Sequence, residues 1–164
     1  MEAPSVEKAQ NQAFRLLALR PRSEKELRDK LLQNYTADIA DLVIQKCKDN
    51  GYLNDNAFAL GRARQLALYR LKGNRFIEAD LSCKGLDQKI ISDAIQTIRR
   101  ELSEKEAIEK VIEKKLKKPS LAGRQEREKM GRYLLSRGFA ADSIFAILNR
   151  QADRSHTDCG DVDM

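Results

Sequence analysis

The side chains in this sequence that could most clearly bind a ligand are basic. Guanidinium and ammonium groups bind phosphates and carboxylates, so basic residues grouped along a chain predict a surface for a polyanion or an acidic protein. Three groups stand out: a central one, a run of lysines and a pair of arginines. They comprise Arg62, Arg64, Arg70, Lys72 and Arg75; Lys114, Lys115, Lys117 and Lys118; and Arg132 and Arg137.

Each group also has a purely structural interpretation. The central group could be the solvated face of a helix, and the lysine run could complement the negative carboxyl end of one. The stems of Arg132 and Arg137 could pack on neighbouring apolar surface. We interpret Tyr52, Tyr133 and Phe139 as core or joint residues rather than stacking platforms for bases. These alternatives stay open at the level of sequence.

The net charge of +6 understates the basic character of most of the chain. Residues 151–164 contain four aspartates and one arginine, a net charge of −3, so residues 1–150 carry +9. A basic body followed by an acidic end is typical of proteins that bind polyanions or acidic surfaces.

Residues that could support catalysis are scarce. The only histidine, His156, lies close to the end of the sequence, and no phosphate-binding loop of the GxxxxGK type occurs. Cys47, Cys83 and Cys159 lie far apart with no paired spacing, so neither a disulfide framework nor a zinc site is predicted. We therefore expect a protein that is not an enzyme and that has no cofactor and no metal.

The elements that must position the basic groups show an internal repeat. Apolar residues occur at matching offsets around Leu86 and Phe139, and the offsets of the second helix also match around Tyr35. In that first repeat Leu27 and Leu31 lie one residue closer to Tyr35, so the connection is shorter. The three positions lie about 50 residues apart, as in stacked helical repeats. We call Tyr35, Leu86 and Phe139 the origin residues of the three repeats. Gly85 and Gly138 directly precede the last two, and Asn34 directly precedes the first, at positions where a left-handed helix end is expected. The repeated positions are Leu27, Leu31, Ala40, Val43 and Ile44; Ile77, Leu81, Ile91, Ala94 and Ile95; and Met130, Leu134, Ile144, Ile147 and Leu148.

Local signals set the helix boundaries. Ser23 with Glu26, and Ser103 with Glu106, have the capping-box spacing, which predicts helices from residues 24 and 104. The second of these should run to about residue 118. A long helix from about residue 56 to 71 should begin at Asn54 or Asp55.

Together these patterns predict an all-α protein of three tandem three-helix repeats, stacked into an elongated, curved body. Charged residues make up 34% of the chain and aromatic residues 5%, which fits exposed amphipathic helices. No apolar run reaches the roughly 20 residues needed to span a bilayer, and no signal peptide is evident, so a cytoplasmic protein is expected. The predicted parts are a frayed N-terminus (1–5), repeats at 6–53, 54–102 and 103–150, and a disordered acidic tail (151–164).

Several ordered landmarks resemble the RecX family, regulators of the RecA recombinase, over roughly residues 13–150. Each landmark alone is weak, but their order and spacing are specific. The segment between Phe58 and Lys72 is about three residues longer than in the family, which should lengthen the long helix by nearly one turn. The landmarks are 23–28 (SEKELR), 51–55 (GYLND) with Phe58, 72–73 (KG) with Ile77 and Leu81, 84–86 (KGL), and 132–139 (RYLLSRGF).

The resemblance implies a non-enzymatic inhibitor that binds the filament of RecA on single-stranded DNA. Such a protein would limit filament growth, strand exchange and co-protease activity, and so tune recombination, DNA repair and the SOS response. On this interpretation the basic residues meet the acidic recombinase surface or DNA phosphates, with weak direct DNA binding, and the protein is a monomer. Two alternatives remain: a helix-turn-helix DNA-binding regulator and an α-helical adaptor without nucleic acid. Three similar units fit a long surface better than a reader of two half-sites.

Overall fold

The computed structural model describes the backbone of residues 5–116, 121 and 123–157, with side chains to residue 154. The described chain is helical throughout and contains no strand, which confirms the all-α class. None of its helices has the length and apolar character to cross a bilayer. The helices are α1 (Val6–Leu19), α2 (Glu24–Leu31), α3 (Ala37–Asp49), α4 (Asp55–Arg64), a π-helical turn (Gln65–Tyr69), α5 (Asn74–Cys83), α6 (Gln88–Glu101), α7 (Glu104–Lys115), α8 (Arg124–Ser136) and α9 (Ala141–Thr157).

The predicted helix starts are confirmed by their capping hydrogen bonds. The Glu26 amide donates to Ser23 Oγ at 3.2 Å, and the Ser23 amide donates to Glu26 Oε2 at 3.2 Å. Ser103 and Glu106 make the same reciprocal pair at the start of α7. Asn54 caps α4 by accepting the Ala57 amide at 3.1 Å. Asp55, the alternative cap, instead accepts the amide of Glu24 at 2.8 Å.

The chain forms two compact units, each made from two segments. The first unit combines Met1–Arg62 with Asp80–Ala94, and the second combines Ala63–Ala79 with Ile95–Met164. Helices α4, α5 and α6 therefore each contribute residues to both units. This division does not follow the repeats, and the repeat boundaries stay predictions.

The repeated apolar positions form the cores, as the spacing predicts. In the first unit, Leu27 and Leu31 of α2 pack with Ala40, Val43 and Ile44 of α3. In the second unit the equivalent residues of α8 and α9 surround Phe139, which is fully buried. The equivalent residues of the middle repeat are also buried, except Ile95, which is half-buried. A helix pair therefore recurs around each origin residue.

Three details of the helix ends differ from prediction. The first-repeat turn does not use Asn34 in a left-handed conformation, because the Tyr35 amide closes the shorter connection by bonding the Leu31 carbonyl at 2.9 Å. Helix α7 ends at Lys115 rather than near residue 118, and Leu116 is extended. Helix α9 continues to Thr157, past the predicted start of a disordered tail at residue 151, because residues 151–157 contain no glycine or proline to stop it.

Ser5, the last residue of the predicted frayed N-terminus, caps α1, since its Oγ accepts a hydrogen bond from the Lys8 amide at 3.2 Å. Residues 1–4 and 158–164 of the two predicted end segments lie outside the described residues.

Candidate polyanion-binding site

A π-helical turn at the end of α4 redirects the chain into the site. The Arg70 amide bonds the Gln65 carbonyl at 3.2 Å, and the Lys72 amide bonds the Leu66 carbonyl at 2.9 Å. Leu71, between them, has a φ of 49°, a left-handed conformation that costs a non-glycine residue about 1–2 kcal/mol. Its side chain is 5% exposed and packs in the core of the second unit, which offsets that cost. A π-helical turn, in place of a continuous long α-helix, therefore leads the chain into Lys72.

Arg137 anchors this redirected segment. Its guanidinium donates to the carbonyls of Arg70 and Leu71, the latter at 3.3 Å from Nε, and to Tyr133 Oη at 3.2 Å. Its own carbonyl accepts the Gly73 amide at 2.9 Å. The side chain and the backbone of Arg137 therefore both hold residues 70–73 in place.

Two glycines make the close contact behind this anchor possible. A Cβ on Gly73 would lie 2.3 Å from backbone atoms of Gly138, and a Cβ on Gly138 would lie 2.4 Å from the Phe76 amide nitrogen. Gly138 also has a φ of 88°, as the repeat pattern predicts for this helix end. Any larger residue at either position would separate the 70–76 segment from the end of α8.

A third segment, the end of α7, brings two lysines to the same place. Lys115 Nζ lies 3.2 Å from the centroid of the Tyr133 ring, and Arg137 Cζ lies 5.5 Å from it. A cavity of about 270 Å³ is lined by Leu71, Val111, Lys114, Lys115, Tyr133 and Arg137. Tyr133 is thus a platform for two cations, which is a cation–π arrangement.

We call Arg70, Lys72, Lys114, Lys115 and Arg137 the cationic cluster. Within the part of the chain that the structure describes, none of the five makes an ion pair with a carboxylate. Burial and the nearby positive charges of Arg137 and Arg70 lower the pKa of Lys72. A bound anion would relieve this repulsion, so the cluster is electrostatically suited to phosphate or carboxylate groups.

Two further residues support the cluster and were not predicted as site residues. Arg99, at the end of α6, donates to the Lys72 carbonyl at 2.9 Å and to Asn74 Oδ1 at 2.6 Å, and burial lowers its pKa. Tyr133 was interpreted as a core or joint residue. In the sequence, only the adjacent basic residues Arg99 and Arg100 near a helix end could have indicated the first, and the RYLLSRGF landmark contains the second.

The remaining predicted residues lie elsewhere. Arg62 forms a two-point ion pair with Asp80, with both contacts at 2.8 Å, and Arg64 pairs with Glu101 at 2.6 Å. Arg75 is exposed on α5, and its amide donates to the Gly138 carbonyl at 3.1 Å. Arg132 is exposed on α8 and lines a separate groove. Lys117 and Lys118 lie outside the described residues.

The chain is similar to RecX proteins in sequence and in structure. Residues 9–47 match the family model for RecX, first three-helix domain, and residues 103–148 match that for RecX, third three-helix domain. Regulatory protein RecX of Caldanaerobacter subterraneus is 30% identical over 88% of this chain and 71% of its own length. That of Bacillus velezensis is 35% identical over 88% of this chain, which spans only 56% of that relative.

The fold comparison agrees with the sequence comparison. The crystal structure of RecX from Lactobacillus salivarius superposes with a TM-score of 0.77 and 27% identity, covering 91% of this chain and 97% of that one. A second crystal structure of a regulatory protein RecX, 21% identical with a TM-score of 0.71, shares the fold.

Proposed function

Because this chain belongs to the RecX family of regulatory proteins, we propose that it is a non-enzymatic modulator of the RecA recombinase. It acts as an inhibitor in the cytoplasm, as a monomer that binds the filament of RecA on single-stranded DNA. Occupancy of the filament limits its growth, strand exchange and co-protease activity, and so tunes recombination, DNA repair and the SOS response.

The cationic cluster carries this proposal. Three segments far apart in sequence converge so that Lys114, Lys115 and Arg137 line a shared cavity, with Arg70 and Lys72 on the segment that Arg137 anchors. The described residues supply no carboxylate partner to these five cations. Such a surface suits the phosphates of the filament DNA or an acidic face of the recombinase. Arg62 and Arg64 are already paired with carboxylates, so we assign the contact to the cluster rather than to them.

The direct test is ATP hydrolysis by RecA filaments assembled on single-stranded DNA. We expect the purified chain to inhibit hydrolysis at concentrations well below that of the recombinase, because blocking filament growth needs few molecules. Unchanged hydrolysis at equimolar protein would contradict the proposal.

Binding to naked DNA separates the alternatives. Weak binding to single-stranded DNA that falls steeply with salt is expected of phosphate contacts alone. Retention of one duplex sequence in preference to others would instead favour a helix-turn-helix reader of bases.

A further inference from the structure

A second candidate surface lies between α8 and α9, in the second unit. It is an apolar groove of about 380 Å³, and we call it the α8–α9 groove. Ile144 and Leu148 are buried along it, whereas Leu135 is 47% exposed and Phe145 is 65% exposed. Two large apolar side chains therefore remain in water beside an open apolar channel, which is typical of a recognition site.

Gly131 keeps this groove open along α8. A glycine inside a helix costs about 1 kcal/mol relative to alanine. A Cβ at Gly131 would meet only Leu148 Cδ1, at 3.7 Å, which is an ordinary contact. Packing within the chain therefore does not require glycine here, and the missing side chain leaves room for an outside group to approach α8.

The rim of the groove is predominantly positive. Arg124, Arg127 and Arg132 line it, with Glu128 as the acidic lining residue. Arg124 bonds Glu128 at 2.9 Å, and Arg127 donates to the Leu121 carbonyl at 3.1 Å. Arg132 is exposed and makes no ion pair with any residue in the described ranges. An occupant that buries apolar groups here would gain further from negative charge at its edges.

A second copy of the chain suits this face poorly. A twofold contact through the groove would bring the arginine rims of both copies together, and like charges at an interface disfavour it. We propose that the α8–α9 groove docks an acidic amphipathic helix of a partner protein. The apolar face of that helix would cover Leu135 and Phe145, and its carboxylates would meet Arg132, which has no ion pair among the described residues.

A pair of designed peptides tests this inference without the recombinase. The first is a fluorescein-labelled helix of about 16 residues with leucines at i, i+4 and i+7 and glutamates on its other face; the second has lysine at every glutamate position. Fluorescence anisotropy should show binding of the acidic peptide and at least ~10-fold weaker binding of the basic one. Equal binding of both peptides, or binding of neither, would overturn the inference.

Two variants locate the binding. Leu135→Asp should weaken acidic-peptide binding at least ~10-fold, whereas Leu42→Asp in the first unit, which is also 47% exposed, should leave it unchanged. Gly131→Leu fills the groove while favouring the helix, so a loss of binding with an equal or higher melting temperature cannot reflect unfolding. Unchanged binding by Gly131→Leu would exclude the groove.

Other occupants give distinct results. Sedimentation that shows self-association, abolished by Leu135→Asp, would assign the groove to a second copy and overturn the partner assignment. Peptide binding that occurs only after deletion of residues 158–164 would assign it to the chain's own acidic end. Because the peptide assay does not involve RecA, its result is independent of the proposed function.

Discussion

Two regions of this chain differ in how their positively charged side chains are paired. In the first unit, Glu26 accepts hydrogen bonds from Arg20 at 3.2 Å and Lys84 at 3.1 Å, and Asp80 pairs with Arg62 at 2.8 Å. We call these five residues the Glu26 network. The cationic cluster of the second unit also has five charged members, but all five are positive. Lys72 and Lys115 lie over aromatic rings, and Arg137 donates to two carbonyl groups and to the Tyr133 hydroxyl.

The difference shows that the arrangement of charge, and not its amount, separates a structural region from a binding region. A paired cation has already exchanged water for a carboxylate and gains little from a second anion. A cation held by carbonyls and rings among like charges gains more from an incoming phosphate or carboxylate. The following predictions are ordered from the largest expected effect to the smallest.

Reversing charge in the cationic cluster should have the largest effect. We expect Lys72→Glu, Lys114→Glu and Lys115→Glu together to raise the concentration for half-inhibition of filament ATP hydrolysis by at least ~100-fold, since three contacts become repulsive. The matched control reverses Lys30, Lys46 and Lys89, which are exposed in the first unit. It makes the same change in net charge and should cost less than ~10-fold. Equal losses would mean that only total charge matters.

In the Glu26 network, Arg62→Ala should affect stability and not binding. The substitution leaves the carboxylate of Asp80, whose side chain is only 17% exposed, without its ion-pair partner. The free energy of unfolding, measured in urea, should therefore fall by about 2–3 kcal/mol. Arg64→Ala is the control, because both partners of its ion pair are more than 40% exposed, and it should cost less than about 1 kcal/mol. An Arg62→Ala variant of full stability that no longer inhibits RecA would contradict this division of roles.

The Glu26 network also predicts a pH dependence. Burial alone would raise the pKa of Glu26, but hydrogen bonds from Arg20, the Ser23 amide and Lys84 outweigh it and lower the pKa from 4.5 to about 2. A carboxylate with a lowered pKa in the folded state stabilises the fold above its ordinary pKa, and this stabilisation is lost as the pH falls towards 2. The stability of the wild type should therefore decline between about pH 5 and 2, by about 2 kcal/mol from this group after allowance for solvent screening.

Glu26→Gln should remove that part of the decline, as measured by urea unfolding at stepwise pH. A variant that retains the full pH dependence would assign it to other carboxylates, with Asp80 the first to examine, because its hydrogen bond with Arg62 lowers its pKa.

The smallest effect is expected at Tyr133. Tyr133→Phe keeps the ring beneath Lys115 and removes only the hydroxyl that accepts from Arg137, so half-inhibition should change by less than ~3-fold. Tyr133→Ala removes the ring as well and should cost about 10-fold. If both variants behave like the wild type, Tyr133 does not organise the cluster.

Much of the fold could be predicted because its signals are local. The capping boxes at Ser23 and Ser103, the buried faces of α8 and α9, and the left-handed Gly138 each depend on residues a few positions apart. The exceptions are also physical. The end of α9 has no stop signal near Arg150, and the predicted long helix ends in a π turn, after which Leu71 reaches the core.

The candidate site was predicted only as a set of residue types. The basic groups around residues 70, 114 and 137 were singled out, but nothing local distinguishes the paired Arg62 from the anchored Arg137. Arg99 has only the sequence pattern of a basic residue at a helix end, and its donated hydrogen bonds to the 72–74 segment depend on the tertiary structure. Pairing depends on partners that are distant in sequence.

The amino-acid sequence by itself therefore determined the helices, their buried faces, the repeat and the family, since helix periodicity and capping act over one or two turns. Only the tertiary structure decided which cations are paired. Asp80 contacts Arg62, which is 18 residues away in sequence. Lys72 and Lys115 instead lie near Arg137, with no carboxylate partner among the described residues. Coulomb interactions depend on distance in space, and that distance is set by packing.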